Sequence, residues 1–190
     1  MRILIVGASG VLGRATLPHL AGHEIVGTTR SQHKRDLLAS LGATPELCDV
    51  YAPGAIERVA CAARPEMVVN FLTDLAAGPG PANSRIRVEG APLVSAAARL
   101  AGARRLVVES IAFETTGASA AAVAALEEDA RASGLEALVL RFGLFWGPGT
   151  WSEGPPERRP AVHVAEAGRR AAALIVGGAP GVHVVADPEP

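Results

Sequence analysis

The sequence predicts an α/β fold: a doubly wound parallel sheet with helices on both faces. Three observations carry this. Short Val/Ile/Leu runs alternate with Ala-rich stretches of helical character, as a succession of strand–helix units requires. Several of those runs are continuously apolar rather than alternating, the pattern of strands covered on both faces. A series of glycines also stands between the first apolar run and the first helical stretch.

The elements follow in order. Ile3 to Gly7 is an apolar run closed by a glycine and reads as the first strand, with Val11 to Ala21 as the helix after it. Glu24 to Thr28 and the segment around Pro45 to Cys48 are the next two strands, separated by a helix at Arg35 to Leu41. Ala55 to Ala63 is a helix leading into the strand Met67 to Leu72. Arg87 to Ala101 and Ser119 to Ser133 are Ala-rich helices, with Gly102 and Gly134 where helix C-caps are expected. They alternate with strands at Arg105 to Glu109 and Ala137 to Phe142, and a helix at Val164 to Val176 precedes a last strand at Val182 to Val185. Two stretches break the rhythm. Ala76 to Pro81 reads as a flexible loop, and the Gly/Pro-rich stretch from Gly147 to Pro160 as an irregular crossing. The expected organisation is one domain over residues 1–190, with 147–190 a shortened C-terminal region.

Composition excludes several classes of function. The chain has 190 residues, 49% hydrophobic and 19% charged, which suits a packed core and not a disordered chain. A net charge of -1 gives no electrostatic footprint for nucleic acid or an anionic membrane. Cys48 and Cys61 form no CxxC pattern, so a reduced, cytoplasmic protein is expected. No apolar stretch nears the roughly 18 residues of a membrane span, and the opening run breaks at Gly7, too early for a signal peptide. His19, His23, His33, His163 and His183 show no i, i+4 pairing, so no metal site is expected.

Gly7, Gly10 and Gly13 make a G-x-x-G-x-x-G series after a strand and at the mouth of a helix. Small residues there let the backbone turn sharply and approach a pyrophosphate, whose charge meets free N–H groups and the positive helix end. The expected fold is therefore of the Rossmann type, with Gly7, Ser9, Gly10, Val11, Leu12 and Gly13 holding a dinucleotide. The second strand ends in Thr28-Thr29-Arg30-Ser31. An NAD-selective site places an acid there for the ribose hydroxyls. Arg30 instead suits the extra phosphate of NADP, so NADP(H) is expected over NAD(H). Asp49 and Val50 follow the third strand on the adenine side. Asn70, Phe71 and Leu72 end the fourth, where Phe71 and Leu72 serve either the ligand or the core.

With these residues in place the chain resembles the short-chain dehydrogenase/reductase superfamily, in its extended or atypical branch of epimerase/dehydratase-like proteins. Gly-Ala-Ser-Gly-Val-Leu-Gly at 7–13 is similar to that branch's nucleotide loop, and Cys48-Asp49-Val50 to its adenine-side acid. The run from Arg105 to Ser110 resembles the strand that delivers the active-site serine. The segment from Leu140 through Gly149 is similar to the branch's L-R-x-x-x-x-Y-G-P-G. Val162-His163-Val164 and Asp187 to Pro190 match its late traces. The resemblance implies a Tyr-x-x-x-Lys pair on the helix after that serine, with tyrosine as general acid/base and lysine lowering its pKa. Aligning Glu127 or Glu128 with the acid further along that helix puts Ser119 or Ala120 at the tyrosine position and Val123 or Ala124 at the lysine position. The chain's single tyrosine and single lysine, Tyr51 and Lys34, lie elsewhere.

The catalytic candidates that remain are Ser110, whose hydroxyl would polarise a substrate carbonyl, and Glu114 as a replacement proton donor; Glu109 and Asp74 stand nearby. Trp146 and Trp151 would wall an aromatic pocket or anchor the core. The expected function is an NADP(H)-dependent oxidoreductase acting on a small-molecule substrate. The alternatives are a non-catalytic NADP(H) sensor and a non-redox isomerase or cyclase. A homodimer is expected through the helices at Arg87 to Ala101 and Ser119 to Ser133, using Ala96, Ala97, Ala121, Ala122 and Ala125.

Overall fold

The computed structural model describes residues 1–75, 80–158 and 160–188. Strand β1 (Arg2–Val6) leads into helix α1 (Val11–Thr16), which tightens into a 3₁₀ turn at Leu17–Leu20. Pro18 at the start of that turn lacks the N–H an α-helix needs, so the helix predicted to Ala21 changes type there. Then come β2 (Glu24–Thr29), α2 (Arg35–Ser40), β3 (Thr44–Leu47), α3 (Ala55–Ala63) and β4 (Met67–Asn70). Helix α4 (Pro81–Arg85), a π-turn at Ile86–Gly90 and α5 (Ala91–Leu100) form one helical run, longer at its start than predicted. Of the loop expected at Ala76 to Pro81, residues 76–79 lie outside the described residues, and Pro81 opens α4. The chain continues through β5 (Arg105–Ile111), α6 (Gly117–Ala132), β6 (Glu136–Phe142), β7 (Leu144–Trp146), β8 (Ala161–His163), α7 (Val164–Gly177) and β9 (Gly181–Val185).

Seven strands form a sheet in the order β3-β2-β1-β4-β5-β6-β9, and every neighbouring pair is parallel. The order reverses between β1 and β4, the switch point at which such sheets open a crevice at their carboxyl ends. Successive side chains alternate between faces. Ile3 and Ile5 join Leu12, Leu38 and Ile175 in one core, under α1, α2 and α7. Leu4 and Val6 join Ile56, Val94 and Leu126 in the other, under α3, α5 and α6.

Helix α5 ends in the cap that Gly102 predicted. Gly102 takes φ +74°, and the N–H groups of Gly102 and Ala103 donate to the carbonyls of Arg99 and Ala98. Two of the alanines expected on a dimer face, Ala97 and Ala122, are buried inside the chain, while Ala121 and Ala125 are exposed.

The irregular crossing predicted after Phe142 holds order that the sequence pattern did not reveal. β7 and β8 pair in parallel as a separate two-stranded sheet. Gly143 permits it, since a Cβ there would stand 2.8 Å from the Ala161 backbone. The Trp146 indole N–H donates to Asp187 (3.2 Å) and its ring meets His163 edge-on. Trp151 is exposed, so the two tryptophans do not wall a common pocket. No helix is long and apolar enough to cross a membrane, and no group of three metal-ligating side chains forms, among the described residues.

Helices α1 and α7 meet at Gly168, where an added Cβ would strike the backbone carbonyl of Ala15. Overpacking of this kind costs about 1–3 kcal/mol. Gly168→Ala should lower the midpoint of urea unfolding accordingly, with the slope unchanged; an unshifted midpoint would show that the helices part freely.

Candidate active site

A cleft of about 330 Å³ opens at the switch point, between the glycine loop, the end of β2 and the segments after β3 and β4. Gly7 takes φ +82°, and a Cβ on it would lie 2.8 Å from the carbonyl oxygen of Phe71, so the loop passes directly over the chain leaving β4. A Cβ on Gly13 would strike Ala8, which lets α1 sit close against the loop. The β2 threonines pin the loop from the side. Gly7 N–H donates to Thr28 Oγ1 (3.1 Å), and Ser9 Oγ donates to Thr29 Oγ1 (2.9 Å).

Gly10 stands at the N-cap of α1 with no side-chain cap, and the N–H groups of Val11, Leu12 and Gly13 find no backbone acceptor among the described residues. A glycine cradle with free amides at its mouth fits a pyrophosphate. Val11 and Leu12 contribute only backbone to that fit, because the Leu12 side chain is packed in the core.

Arg30 and Lys34 line the cleft and supply its positive charge. Arg30 is more than half exposed and reaches Asp74 at 3.8 Å, a loose pair that leaves the guanidinium able to turn to another anion. Asp49 and Val50 line the far wall, and Asp49 Oδ1 accepts the Tyr51 N–H (3.1 Å). Tyr51 lies under the Arg85 guanidinium (4.2 Å), a stack from α4 that the sequence reading missed because the two residues are distant in the chain. Phe71 and Leu72 line the cleft and also pack into the cores. Asn70 is buried, and its Oδ1 accepts the Leu72 N–H (3.1 Å), so it shapes the turn over which the cleft is built. Cys48 lines the cleft too, with burial pushing its thiol up to about 11.

The catalytic candidates fall differently. Ser110 has no exposed surface, and its Oγ donates to Glu127 Oε1 at 2.6 Å. The hydroxyl expected to face a substrate is committed to a buried carboxylate, because strand alternation turns Ser110 towards α6. Glu127 also accepts Arg141 Nε (2.8 Å) and an NH2 group of Arg131 (2.9 Å). Burial pushes its carboxyl up, but hydrogen bonds from Arg141 and Ser110 outweigh that and hold it below the usual range. Glu128 is exposed, and Glu127 is the acid that the helix turns inward. Glu114 is exposed, and among the described residues only its backbone carbonyl is engaged, by Arg158. It sits on a solvated loop.

Two further charges stand at this edge. Arg87, on the π-turn, is 6% exposed, and burial pushes its guanidinium down. Glu109, one residue before Ser110 and turned to the opposite face, is pushed by burial up to about 7, with Arg87 alone pulling it back. Neither makes an ion pair or side-chain hydrogen bond among the described residues. Glu109 stands out in the sequence; Arg87 does not, since a π-turn leaves no periodic trace.

Against known proteins, residues 3–179 match the model of the NAD dependent epimerase/dehydratase family. A curated relative from a Streptomyces species, 3-diazoavenalumate denitrifying reductase, is 36% identical over 185 residues, covering 79% of this chain and 58% of the relative. The chain thus spans little more than half the length of that relative. Among solved structures, UDP-glucose 4-epimerase of Thermus thermophilus in complex with NAD superposes with a TM-score of 0.81 at 19% identity, over 100% of this chain and 78% of that one. WbmG of Bordetella bronchiseptica in complex with NAD and UDP gives 0.79 at 22% identity, over 98% and 72%. These likenesses establish the fold.

The buried carboxylate yields a prediction. Arg141→Met removes two charge-assisted hydrogen bonds from Glu127, and stability should fall by about 2–3 kcal/mol in chemical denaturation at neutral pH. Because the Glu127 pKa is held low, its contribution is present above the usual carboxylate range and lost as pH falls through the folded value. The variant's deficit should therefore shrink in acid; a deficit constant with pH would assign it to packing instead.

Proposed function

The chain belongs to the NAD dependent epimerase/dehydratase family, and we propose that within it the protein is an NADP(H)-dependent reductase of a small diazo or diazonium metabolite. One observation carries the reading. The glycine cradle offers free amides to a cofactor, whereas the α6 positions compared with tyrosine and lysine hold Ser119 or Ala120 and Val123 or Ala124, none of which relays a proton as that pair does. Such a site suits an acceptor that takes hydride without a proton delivered by that helix. A diazonium ion is such an acceptor, because its positive charge draws the hydride and dinitrogen is a neutral leaving group. When bound, the dihydronicotinamide supplies the hydride, and the net change is R–N₂⁺ plus hydride to R–H plus N₂. The Streptomyces relative is named for a denitrifying reduction of a diazo compound, which supports the assignment of substrate class.

The chain's own residues divide the work. The glycine loop and the free amides of α1 bind the pyrophosphate, with the positive helix end adding to the attraction. Arg30 binds the phosphate that distinguishes NADP from NAD, and Asp49 meets the adenosine. Glu127, Arg141 and Ser110 fix α6 against β5 and β6, so the reaction end has a rigid wall.

Two measurements test this. NADPH should bind more tightly than NADH in calorimetry. Arg30→Ala should remove about 1.5–3 kcal/mol of NADPH binding, roughly 10–150-fold, and most of the preference. Equal affinities in the wild type would refute the cofactor assignment. With 4-methoxybenzenediazonium as acceptor, loss of NADPH absorbance should match release of dinitrogen one for one. Gly10→Val, which puts a side chain at the mouth of the cradle, should abolish both. NADPH consumption no faster than in buffer would remove the reductase reading.

A further inference from the structure

Strand β2 ends without the acid that an NAD-selective site places there, and the structure brings a carboxylate to that place from another strand. Strands β2 and β4 lie on either side of β1. Arg30 follows β2 and Asp74 follows β4, so a contact between them has to span the crevice into which the glycine loop opens. They make that contact: Arg30 NH2 stands 3.8 Å from Asp74 Oδ2, and both residues line the cleft. The crossing is fixed from below. The segment leaving β4 runs against the glycine loop, where a Cβ on Gly7 would stand 2.8 Å from the Phe71 carbonyl oxygen. Asp74 is held by its backbone, whose N–H donates to Oδ1 of buried Asn83 on α4 (3.1 Å). Its side chain is only 27% exposed, yet it makes no hydrogen bond among the described residues, since 3.8 Å exceeds hydrogen-bond reach. The carboxylate therefore keeps its lone pairs open beside Arg30.

The two forms of the cofactor differ at one group, a hydroxyl in NAD(H) and a phosphate in NADP(H). A hydroxyl donates to a carboxylate, whereas a phosphate beside one is repelled. Resting on the dinucleotide reading of the cleft, we propose that Asp74 is a specificity-determining residue. Its carboxylate accepts the 2′-hydroxyl of the adenosine ribose when NAD(H) is bound, and its claim on Arg30 weakens the hold on the 2′-phosphate of NADP(H). Arg30 and Asp74 are the two halves of one selector. With NADP(H), Arg30 turns from Asp74 to the phosphate, and Lys34 in the same cleft adds its charge. With NAD(H), the pair stays closed and Asp74 takes the hydroxyl. Asp49, the other carboxylate lining the cleft, makes no ion pair with Arg30 among the described residues, and its Oδ1 is taken by the Tyr51 N–H. Arginine alone at the end of β2 would exclude NAD(H); the acid opposite lets the protein prefer NADP(H) and still accept NAD(H).

Calorimetry tests this without turnover. Asp74→Ala should weaken NADH binding roughly 5–10-fold, through loss of the acceptor in a part-exposed, charge-assisted hydrogen bond. The same variant should tighten NADPH about 2–5-fold, because a like charge is removed and Arg30 is released. Opposite signs are the signature. Damage to the fold would weaken both cofactors, and removal of a mere strap across the cleft would tighten both. The 2′-deoxyadenosine analogue of NADH isolates the hydroxyl. Wild type should bind it roughly 5–10-fold more weakly than NADH, whereas Asp74→Ala should bind the two alike. Affinities for NADH and NADPH that shift in the same direction in Asp74→Ala, an unchanged NADH affinity, or an analogue penalised as much in the variant as in the wild type would each overturn the selector. Equal wild-type affinities for NADPH and NADH would refute the preference proposed above, while the changes on substitution would still decide the role of Asp74. Binding of neither cofactor by the wild type would remove both.

Discussion

A parallel sheet covered on both faces has one place to do chemistry, the edge where its strands end together. That constraint organises this molecule. The faces are taken by two apolar cores, one under α1, α2 and α7 and the other under α3, α5 and α6. Polar groups on the strands therefore collect at the carboxyl ends: Thr28 and Thr29 on β2, Asn70 on β4, Glu109 and Ser110 on β5. All but Glu109 are put to local use there. The threonines hold the glycine loop at the height at which its amides remain free, and Asn70 turns the chain on which that loop rests. The cleft is the space left when these bonds are satisfied.

Two carboxyl groups near β5 show how burial alone does not determine charge. Glu127 on α6 is buried and Glu109 on the strand is partly so, yet their carboxyl groups move in opposite directions. Hydrogen bonds decide between them, because two guanidinium groups and a hydroxyl reach Glu127 and none of these reaches Glu109. Strand alternation separates their environments: Ser110 faces α6 and takes part in the first, while its neighbour Glu109 faces away.

The fold was legible because its signals are local. Continuous apolar runs, Ala-rich helices and the glycines at 7, 10 and 13 each state their role within a few residues. The cleft that the glycine loop, helix mouth and Arg30 form was placed for the same reason, since all three follow directly on strands. The reaction end was not. Ser110 occupies the expected strand end, but whether its hydroxyl meets a ligand or Glu127 depends on a helix 17 residues away. Arg87 lies in a stretch that reads as ordinary helix, and only the π-turn reveals that it is buried. The β7–β8 pair escaped because each strand is three residues long and gains its partner across a Gly/Pro-rich excursion.

The Cys48 thiol acquires a meaning from its position on the cleft wall. Diazonium ions arylate nucleophiles, so under the function proposed above a thiolate beside the cleft would be consumed by the acceptor. Burial keeps Cys48 protonated until about 11, so at physiological pH it presents a weakly reactive sulfur to the cleft, while exposed Cys61 lies on α3, outside the cleft lining. On that reading the nucleophiles left for such an electrophile to meet are the chain's single tyrosine and single lysine, Tyr51 and Lys34, which line the same cleft.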